Sequence, residues 1–395
     1  MSVRFRSARA CRSAAARRVY RSAPVRVRTP APVAARCGSP PPGLHRSRPD
    51  NGRVSEAAWE PGTATAIGSM PGTDPVEAAR TVVGELPELM PFPELPARGV
   101  GADLIGRTAG MLVGDLAVEV VPSGYRVAGR PGHDQQRAVD LLRWDLDAVE
   151  QAAAEAGAPR VVKVQAAGPW TLAAGIELMR GHRVLTDHGA LRDFTESLTE
   201  GLTEHAGQVA ARTGARVVVQ LDEPSLPAVL NGRLPTPSGY GTVPAVPAPD
   251  AQRRLAEVIE TLAAATGSPV VVHCCARRPP VALLRRAGAG AIALDATGLG
   301  DVTGEFADEL GETWEEGTTL FLGLVPSRET ETTLRQVAQP AFDLATRLGF
   351  SRRTLAERGV PTPTCGFAGA SPAWARRAIG LTRDLARMFA DEAEG

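Results

Sequence analysis

Cysteine, lysine and long apolar runs are all scarce in this 395-residue sequence. No run of about 18 apolar residues occurs, so the sequence predicts neither a membrane-spanning helix nor a membrane partner. Lysine occurs once, at Lys163. The five cysteines are Cys11, Cys37, Cys274, Cys275 and Cys365. Because they do not suggest an even disulfide framework, we expect a reducing, cytoplasmic location and thiolate chemistry.

The formal net charge is zero, but its distribution is uneven. Residues 1–53 hold 13 arginines and a single acid, Asp50. The remainder holds 31 basic and 43 acidic residues, a net charge of −12. An acidic body argues against a surface that binds nucleic acid, so no nucleic-acid partner is expected.

Residues 1–60 are rich in arginine, alanine, serine and proline and have no sustained apolar period. This composition predicts a disordered extension. An organellar transit peptide and a nucleic-acid-binding arm are two interpretations. We favour a third, a non-functional extension produced by a misplaced start.

Beyond residue 60, short apolar runs alternate with amphipathic stretches. The candidate strands are 63–69, 98–105, 160–168, 215–223, 268–275, 290–296, 318–325 and 360–367. Near-continuous apolar strands followed by helices indicate a parallel sheet covered on both faces. Eight such units predict an α/β protein with one (β/α)8 TIM barrel over residues 61–390, and a hairpin at 111–129. A doubly wound sheet is the alternative.

Polar residues follow several of these apolar runs. In a barrel, the carboxyl ends of the strands and the loops after them carry the chemistry. The candidate residues are Ser69, Trp170, Asp222, Glu223, His273, Cys275, Asp295 and Cys365. If the strands close into a barrel, these side chains converge on one opening.

The segment "SPVVVHCCARRPP" (268–280) carries the strongest pattern. His273 and Cys275 are two residues apart, so an extended strand points both the same way and Cys274 the other way. With Cys365 they offer one imidazole and two thiolates, a mixture that suits zinc, and Asp295 can complete the set. Free cysteines are also common core residues, so spacing alone leaves the metal site open.

Three further candidates each have a functional and a structural interpretation. Asp222 and Glu223 can bind a substrate amino group, transfer protons, or pair with an arginine. Trp170 can stack on a planar ring or fill the core.

Four motifs in order resemble one family over residues 63 to about 385. They are "TAIGSMPGT", "QLDEPSL", "HCC" and "PTPTCGFAGASPAWARRAI". The sequence resembles the C-terminal catalytic half of cobalamin-independent methionine synthase, a (β/α)8 barrel of the uroporphyrinogen decarboxylase superfamily.

The resemblance implies zinc held by His273, Cys275 and Cys365, with Asp295 near the place of the family's glutamate ligand. It also implies that a thiol, homocysteine, binds zinc as a thiolate and is methylated to methionine. The methyl donor is a small-molecule folate, methyltetrahydrofolate, or a methylcorrinoid.

The resemblance further implies that Ser69 and Asp222 bind the amino-acid end of homocysteine, assisted by Glu223. Asp222 is therefore the candidate catalytic residue as well as a substrate contact. Trp170 remains a candidate for contacting a planar ring of the substrate or donor.

Two departures from the family pattern affect these expectations. The family's His-Gly-Glu loop after the second strand corresponds to "RGVGADLIGR", where Asp103 is the nearest acid. The family's proton-donating histidine on strand seven is missing from "GLVPSRE" (323–329). Two alternatives therefore stay open: a metal-free, decarboxylase-like barrel that binds a tetrapyrrole or corrinoid through Arg277 and Arg278, and a non-catalytic relative with a structural zinc.

Overall fold

Strands and helices alternate along the chain in the computed structural model, which describes residues 58–236 and 239–394. The strands are β1 Met90–Pro91, β2 Ala117–Val121, β3 Gly124–Ala128, β4 Val161–Ala167, β5 Ile176–Glu177, β6 Arg216–Asp222, β7 Val271–His273, β8 Ala291–Asp295, β9 Thr319–Val325 and β10 Gly359–Pro363. The helices are α1 Pro75–Glu85, α2 Leu104–Ala109, α3 His133–Ala156, α4 Pro169–Gly175, α5 His188–Thr213, α6 Leu226–Leu230, α7 Ala248–Thr266, α8 Val281–Arg286, α9 Glu305–Glu315, α10 Leu334–Arg347, α11 Arg352–Arg358 and α12 Pro372–Glu394.

Seven of the strands form one parallel sheet in the order β1-β4-β6-β7-β8-β9-β10. The extended segment 63–70 lies between its two edges. The N–H of Thr65 donates to the carbonyl of Pro361 at 3.4 Å, beside β10, and the N–H of Glu94 donates to the carbonyl of Gly68 at 3.2 Å, beside β1. The sheet thus curls into the predicted TIM-barrel fold. We call the opening at the carboxyl ends of these strands the mouth.

The second barrel strand was predicted at 98–105, and this prediction is wrong. That run holds a 3₁₀ turn and the start of α2, because Gly99 and Gly101 adopt positive φ and the Asp103 carboxylate caps the helix. The second barrel strand is β1, and the acid that follows it is Glu94.

The predicted hairpin at 111–129 is present as β2 and β3, which pair antiparallel. β5 joins them in a small three-stranded sheet. The hydroxyl of Tyr125 accepts the N–H of Gly101 at 3.0 Å and donates to the Asp103 carboxylate. These bonds hold the hairpin against the loop that follows β1.

An apolar layer fills the barrel at the amino ends of the strands. Its members are Ala58, Trp59, Leu89, Val161, Val218, Val271, Ala291, Ala293, Phe321 and Val360. The rings of Trp59 and Phe321 meet edge to face, with centroids 5.1 Å apart. The packed chain therefore includes Ala58 and Trp59, which the sequence prediction assigned to the extension. The rest of that extension, 1–57, lies outside the described residues.

Polar side chains replace this apolar layer towards the mouth. Lys163, Gln165 and Gln220 are fully buried, and Asp222 and His273 lie above them. A second, larger apolar core packs between the outer face of the sheet and the helices. Within the described part of the chain, no helix is long and apolar enough to span a bilayer.

Candidate active site

Strand pairing gathers the predicted polar residues at the mouth. Asp222 ends β6 and is the register partner of His273, which ends β7. Asp295 ends β8, and Cys365 follows β10. Because all four strands are parallel, these residues lie at the same end of the barrel.

Asp222 and His273 form the best-defined contact of the site. The Nδ1 atom of His273 lies 2.7 Å from Oδ1 of Asp222, and both side chains are buried. The same oxygen accepts an N–H of the Gln220 carboxamide at 2.8 Å. An ionised carboxylate only accepts, so the proton of a neutral His273 is on Nδ1. Its Nε2 has no partner in the described chain and is free to bind a ligand.

The thiols of Cys275 and Cys365 lie close enough to affect each other. The neighbouring Cys275 thiol, opposed by burial and aided by His273, lowers the pKa of Cys365 to about 6. The neighbouring Cys365, together with burial, raises the pKa of Cys275 far above that of an ordinary thiol. The first proton of this pair is therefore lost much more easily than the second.

Cys274 lies on the other side of the strand, in the core between the sheet and the helices. It is fully buried, and burial raises the pKa of its thiol to about 12. This placement follows the alternation of an extended chain and separates Cys274 from the other two thiols.

Ser69 lies beside the loop that carries Cys365. Its carbonyl accepts the N–H of Phe367 at 2.8 Å. A Cβ atom added to Gly366 would lie only 1.9 Å from the Ser69 hydroxyl oxygen, so glycine is needed for this close approach. Ser69 also forms an isolated parallel bridge with Glu94.

Glu94 is a buried acid of this region that the sequence interpretation missed. Its carboxylate lies 3.1 Å from the guanidinium of Arg107. Burial, opposed mainly by Arg107, raises the pKa of Glu94 to about 7. The segment "MPFPELP" (90–96) does place an acid after apolar residues. Its prolines argue against a strand, so Glu94 was not recognised as a residue that follows one. Asp103 caps α2 instead.

Glu223 and Trp170 lie just behind the mouth. The fully buried Glu223 carboxylate accepts the N–H groups of Trp170 at 2.9 Å and Thr171 at 2.8 Å, and the Thr171 hydroxyl at 2.7 Å. Burial raises the pKa of Glu223 to about 7. The buried Trp170 indole donates to the carbonyl of Ala251 at 3.2 Å and borders a cavity of about 390 Å³ near the starts of α5 and α7.

Comparison with known proteins identifies the family of this chain. Residues 62–388 match the family model described as "Cobalamin-independent synthase, Catalytic domain". The chain belongs to this family. It is thus a methyltransferase of the cobalamin-independent methionine synthase type. No curated protein sequence matches the chain significantly.

Two solved structures are similar to this family member. One is a B12-independent methionine synthase from Shewanella sp. W3-18-1 in complex with selenomethionine, with a TM-score of 0.50 and 13% identity over 83% of this chain and 98% of that chain. The other is a methyltransferase from Methanosarcina mazei, with a TM-score of 0.46 and 15% identity over 81% of this chain and 94% of that chain.

The donor atoms of this family member suit zinc in their chemistry. The unpartnered imidazole nitrogen of His273 and the thiols of Cys275 and Cys365 are nitrogen and sulfur donors of the kind that zinc prefers. In residues 58–236 and 239–394, however, no three His, Cys, Asp or Glu side chains are grouped closely enough to hold an ion. These three residues therefore have the donor atoms that zinc prefers. In the described residues, however, their side chains are not close enough together to bind one ion.

Asp295, the predicted fourth ligand, makes other contacts. Its Oδ1 accepts the N–H of Thr297 at 2.9 Å, the hydroxyl of Thr297 at 2.7 Å and the N–H of Gly298 at 3.1 Å. These bonds stabilise the turn after β8 and occupy this oxygen of the carboxylate.

Lys163 and Gln220 extend the site into the barrel, and sequence reasoning gave them no function. The Lys163 ammonium donates to the carbonyl of Ile67 at 2.9 Å and to the Gln220 carboxamide oxygen at 2.6 Å. Burial lowers the pKa of Lys163 to about 7. A charged residue within the apolar run "RVVKV" (160–164) was the available signal, because lysine is rarely fully buried.

Proposed function

We propose that this protein is a zinc-dependent methyltransferase that converts homocysteine to methionine. The observation that carries the proposal is the unpartnered Nε2 of buried His273 at the same barrel mouth as the neighbouring thiols of Cys275 and Cys365. When bound, zinc would lower the pKa of the substrate thiol, so that its thiolate is available near neutral pH.

The protein's own side chains prepare this site. Asp222 fixes the ring of His273 through Nδ1, which leaves Nε2 as the donor atom. The depressed pKa of Cys365 means that this thiol gives up its proton at little cost, whereas Cys275 must lose its proton on binding the metal.

Ser69 and Glu94 are the proposed contacts for the amino-acid end of homocysteine. Glu94 takes the place of the carboxylate that the family resemblance required after the second strand, because it follows that strand and is buried. Binding of an ammonium group would favour the ionised form of Glu94. The family resemblance implied Asp222 and Glu223 at this end; we propose instead that Asp222 orients His273 and that Glu223 caps α4.

The methyl transfer itself forms a carbon–sulfur bond and breaks the bond between the methyl group and its donor. A folate amine leaves with a proton, whereas a corrinoid keeps the electron pair on cobalt. β9 ends at Val325 and is followed by Pro326 and Ser327, with no histidine to supply that proton. Methyltetrahydrofolate as the donor therefore needs a different proton source, whereas a methylcorrinoid needs none.

The proposal includes a cytoplasmic location and a small-molecule thiol as substrate. Cys274, Cys275 and Cys365 are all free thiols, which supports a reducing compartment.

Metal analysis of the purified protein tests the proposal, and the adjacent cysteines supply a matched control. We expect about one zinc per chain. Cys275→Ala and Cys365→Ala should lose the metal, whereas Cys274→Ala should keep it, because its thiol faces the core. Zinc retained in Cys275→Ala would contradict the ligand assignment.

Methyl transfer to homocysteine is then assayed with methyltetrahydrofolate and with methylcobalamin. Turnover that is lost with zinc supports the proposal. Bound zinc without turnover from either donor would indicate the non-catalytic alternative. Porphyrin binding by a zinc-free protein would indicate the decarboxylase-like alternative.

A further inference from the structure

The side chain of Gln165 is buried inside the barrel without a hydrogen-bond partner. Gln165 lies on β4 and is fully buried, and within residues 58–236 and 239–394 neither its Oε1 nor its Nε2 has a partner. Side chains alternate along a strand, so Gln165 points the same way as Val161 and Lys163. Because Val161 belongs to the apolar layer inside the barrel, Gln165 lies on the inner face of β4, towards its carboxyl end.

An unpaired carboxamide at this depth needs an explanation, because burying one without a partner costs free energy. Gln220 on β6, the register partner of Gln165, shows the usual arrangement: its carboxamide has partners for both its oxygen and its nitrogen. A methionine would fill the position of Gln165 at a lower cost. A buried polar group that the protein itself leaves unpaired is therefore a candidate for contacting a ligand.

The neighbours of this carboxamide are the proposed contacts for the amino-acid end of the substrate. A Cβ atom added to Gly68 would lie 3.0 Å from Cδ and 3.3 Å from Nε2 of Gln165, so the carboxamide packs against the backbone just before Ser69. Nη1 of Arg107 donates to the carbonyl of Gln165 at 2.5 Å and lies 3.1 Å from the carboxylate of Glu94. Gln165 is thus linked to Ser69 and to Glu94 through one residue each.

The chemistry of a free carboxamide suits the zwitterionic end of an amino acid. A carboxamide both donates and accepts hydrogen bonds, and an amino acid offers a carboxylate that accepts and an ammonium group that donates. Glu94, when ionised, can pair with the ammonium group, but its negative charge repels a carboxylate. The amino group of the Gln165 carboxamide supplies a donor for that carboxylate without adding charge.

We propose that Gln165 is a substrate-binding residue whose carboxamide amino group donates a hydrogen bond to the carboxylate of the amino-acid substrate. This inference rests on the proposed function, in which the substrate is homocysteine, and it adds a residue that selects amino acids over simple thiols. Bound substrate would supply the partner that the folded chain does not.

Binding of L-methionine, the product of the proposed reaction, to the full-length protein tests this inference by isothermal titration calorimetry. Gln165→Met should weaken this binding about 10-fold to 100-fold, the loss typical of one hydrogen bond to a charged group. The analogue 3-(methylthio)propylamine lacks the carboxylate. Its affinity should therefore fall much less in the same variant.

Urea unfolding distinguishes a ligand contact from a structural group. Because the Gln165 carboxamide has no partner among the described residues, Gln165→Met should unfold at the same urea concentration as the unmodified protein or at a higher one.

Gln135 on α3 provides a matched control, because it is a buried glutamine with both carboxamide atoms bonded. Its Oε1 accepts the N–H of Val118 at 3.2 Å, and its Nε2 donates to the carbonyl of Ala109 at 2.8 Å. Gln135→Met loses both bonds and should unfold at a lower urea concentration. It should nevertheless bind L-methionine as tightly as the unmodified protein.

Unchanged L-methionine affinity in Gln165→Met would overturn the inference and leave the methyltransferase proposal intact. A marked loss of stability in this variant, with equal losses for the two ligands, would also overturn it, because the carboxamide would then be structural and bonded, for example, to a buried water. Conversely, selectively weakened L-methionine binding in a protein that does not methylate homocysteine would retain the inference about Gln165 and refute the proposed function.

Discussion

At the scale of single residues, this barrel owes its chemistry to polar groups that the fold buries. Glu94, Lys163 and Glu223 are all buried, and burial moves the pKa of each to about 7. Each of these side chains forms specific hydrogen bonds or an ion pair, so none is buried without a partner. Such groups exchange protons or bind charged substrates near neutral pH, which is why they mark the candidate site.

The first prediction concerns Glu94 and the substrate amino group. In Glu94→Gln, the Michaelis constant for homocysteine should rise about 10-fold to 100-fold, because one charge-assisted hydrogen bond is worth about 1.5 to 3 kcal/mol. A mercaptobutanoate substrate that lacks the amino group should show no such rise. Equal increases for both thiols would show that Glu94 does not bind the ammonium.

The second prediction concerns His205 and acid stability. Burial, aided by Arg107, lowers the pKa of His205 from 6.5 to about 3. The folded protein keeps this imidazole neutral while the unfolded chain protonates it. The contribution of His205 to stability is therefore complete above pH 6.5 and is lost as the pH falls towards about 3.

His205→Gln should remove this dependence. Between about pH 6 and pH 4, urea unfolding of the variant should lose about 2 to 3 kcal/mol less than that of the unmodified protein, since one proton is worth about 1.4 kcal/mol per pH unit. His182→Gln, at an exposed position, is the control and should keep the full slope. Equal slopes in all three proteins would contradict the prediction.

At the scale of elements, the hairpin of β2 and β3 depends on one hydroxyl. The third prediction is that Tyr125→Phe lowers the free energy of unfolding by about 1 to 3 kcal/mol, because the N–H of Gly101 and the Asp103 carboxylate lose a partner. Amide exchange at Gly101 should also become faster. Unchanged exchange there would mean that the hydroxyl does not hold the loop.

Sequence reasoning succeeded for elements whose pattern is local. The valine-rich β4, β6 and β7 read directly as buried strands, and the spacing of His273 and Cys275 placed Cys274 on the core side. β1 was missed because it is two residues long and lies among prolines. β1 pairs with β4, which is distant from it in the sequence. Such a contact leaves no periodic pattern of apolar residues within β1 from which a strand could be predicted.

Contacts inside the site were also beyond the sequence. Asp222 and Glu223 are adjacent in the chain, yet the strand pleat sends them to different partners, His273 and the start of α4. Which acid faces which partner depends on the register of neighbouring strands. A list of polar residues at strand ends cannot supply that information.

At the scale of the whole molecule, the barrel is closed at its base and polar at its mouth. The indole of Trp59 packs on Phe321 in the apolar layer at the amino ends of the strands. The fourth prediction is that Trp59→Ala lowers the free energy of unfolding by about 3 to 5 kcal/mol, because it leaves a cavity in this layer.

Trp144 offers the control for this substitution. It is 57% exposed on α3, so Trp144→Ala should change the free energy of unfolding by less than about 1 kcal/mol. Urea unfolding measures both. A similar, small effect for the two tryptophans would mean that Trp59 does not seal the base.

The single, fully buried lysine has a practical consequence. Because its single lysine is buried, the folded barrel should resist lysine-directed cross-linking and labelling. Each unfolding event exposes one new primary amine. The fraction of protein that is modified at Lys163 therefore measures how often the barrel unfolds. Global unfolding can be followed in this way without any engineered probe.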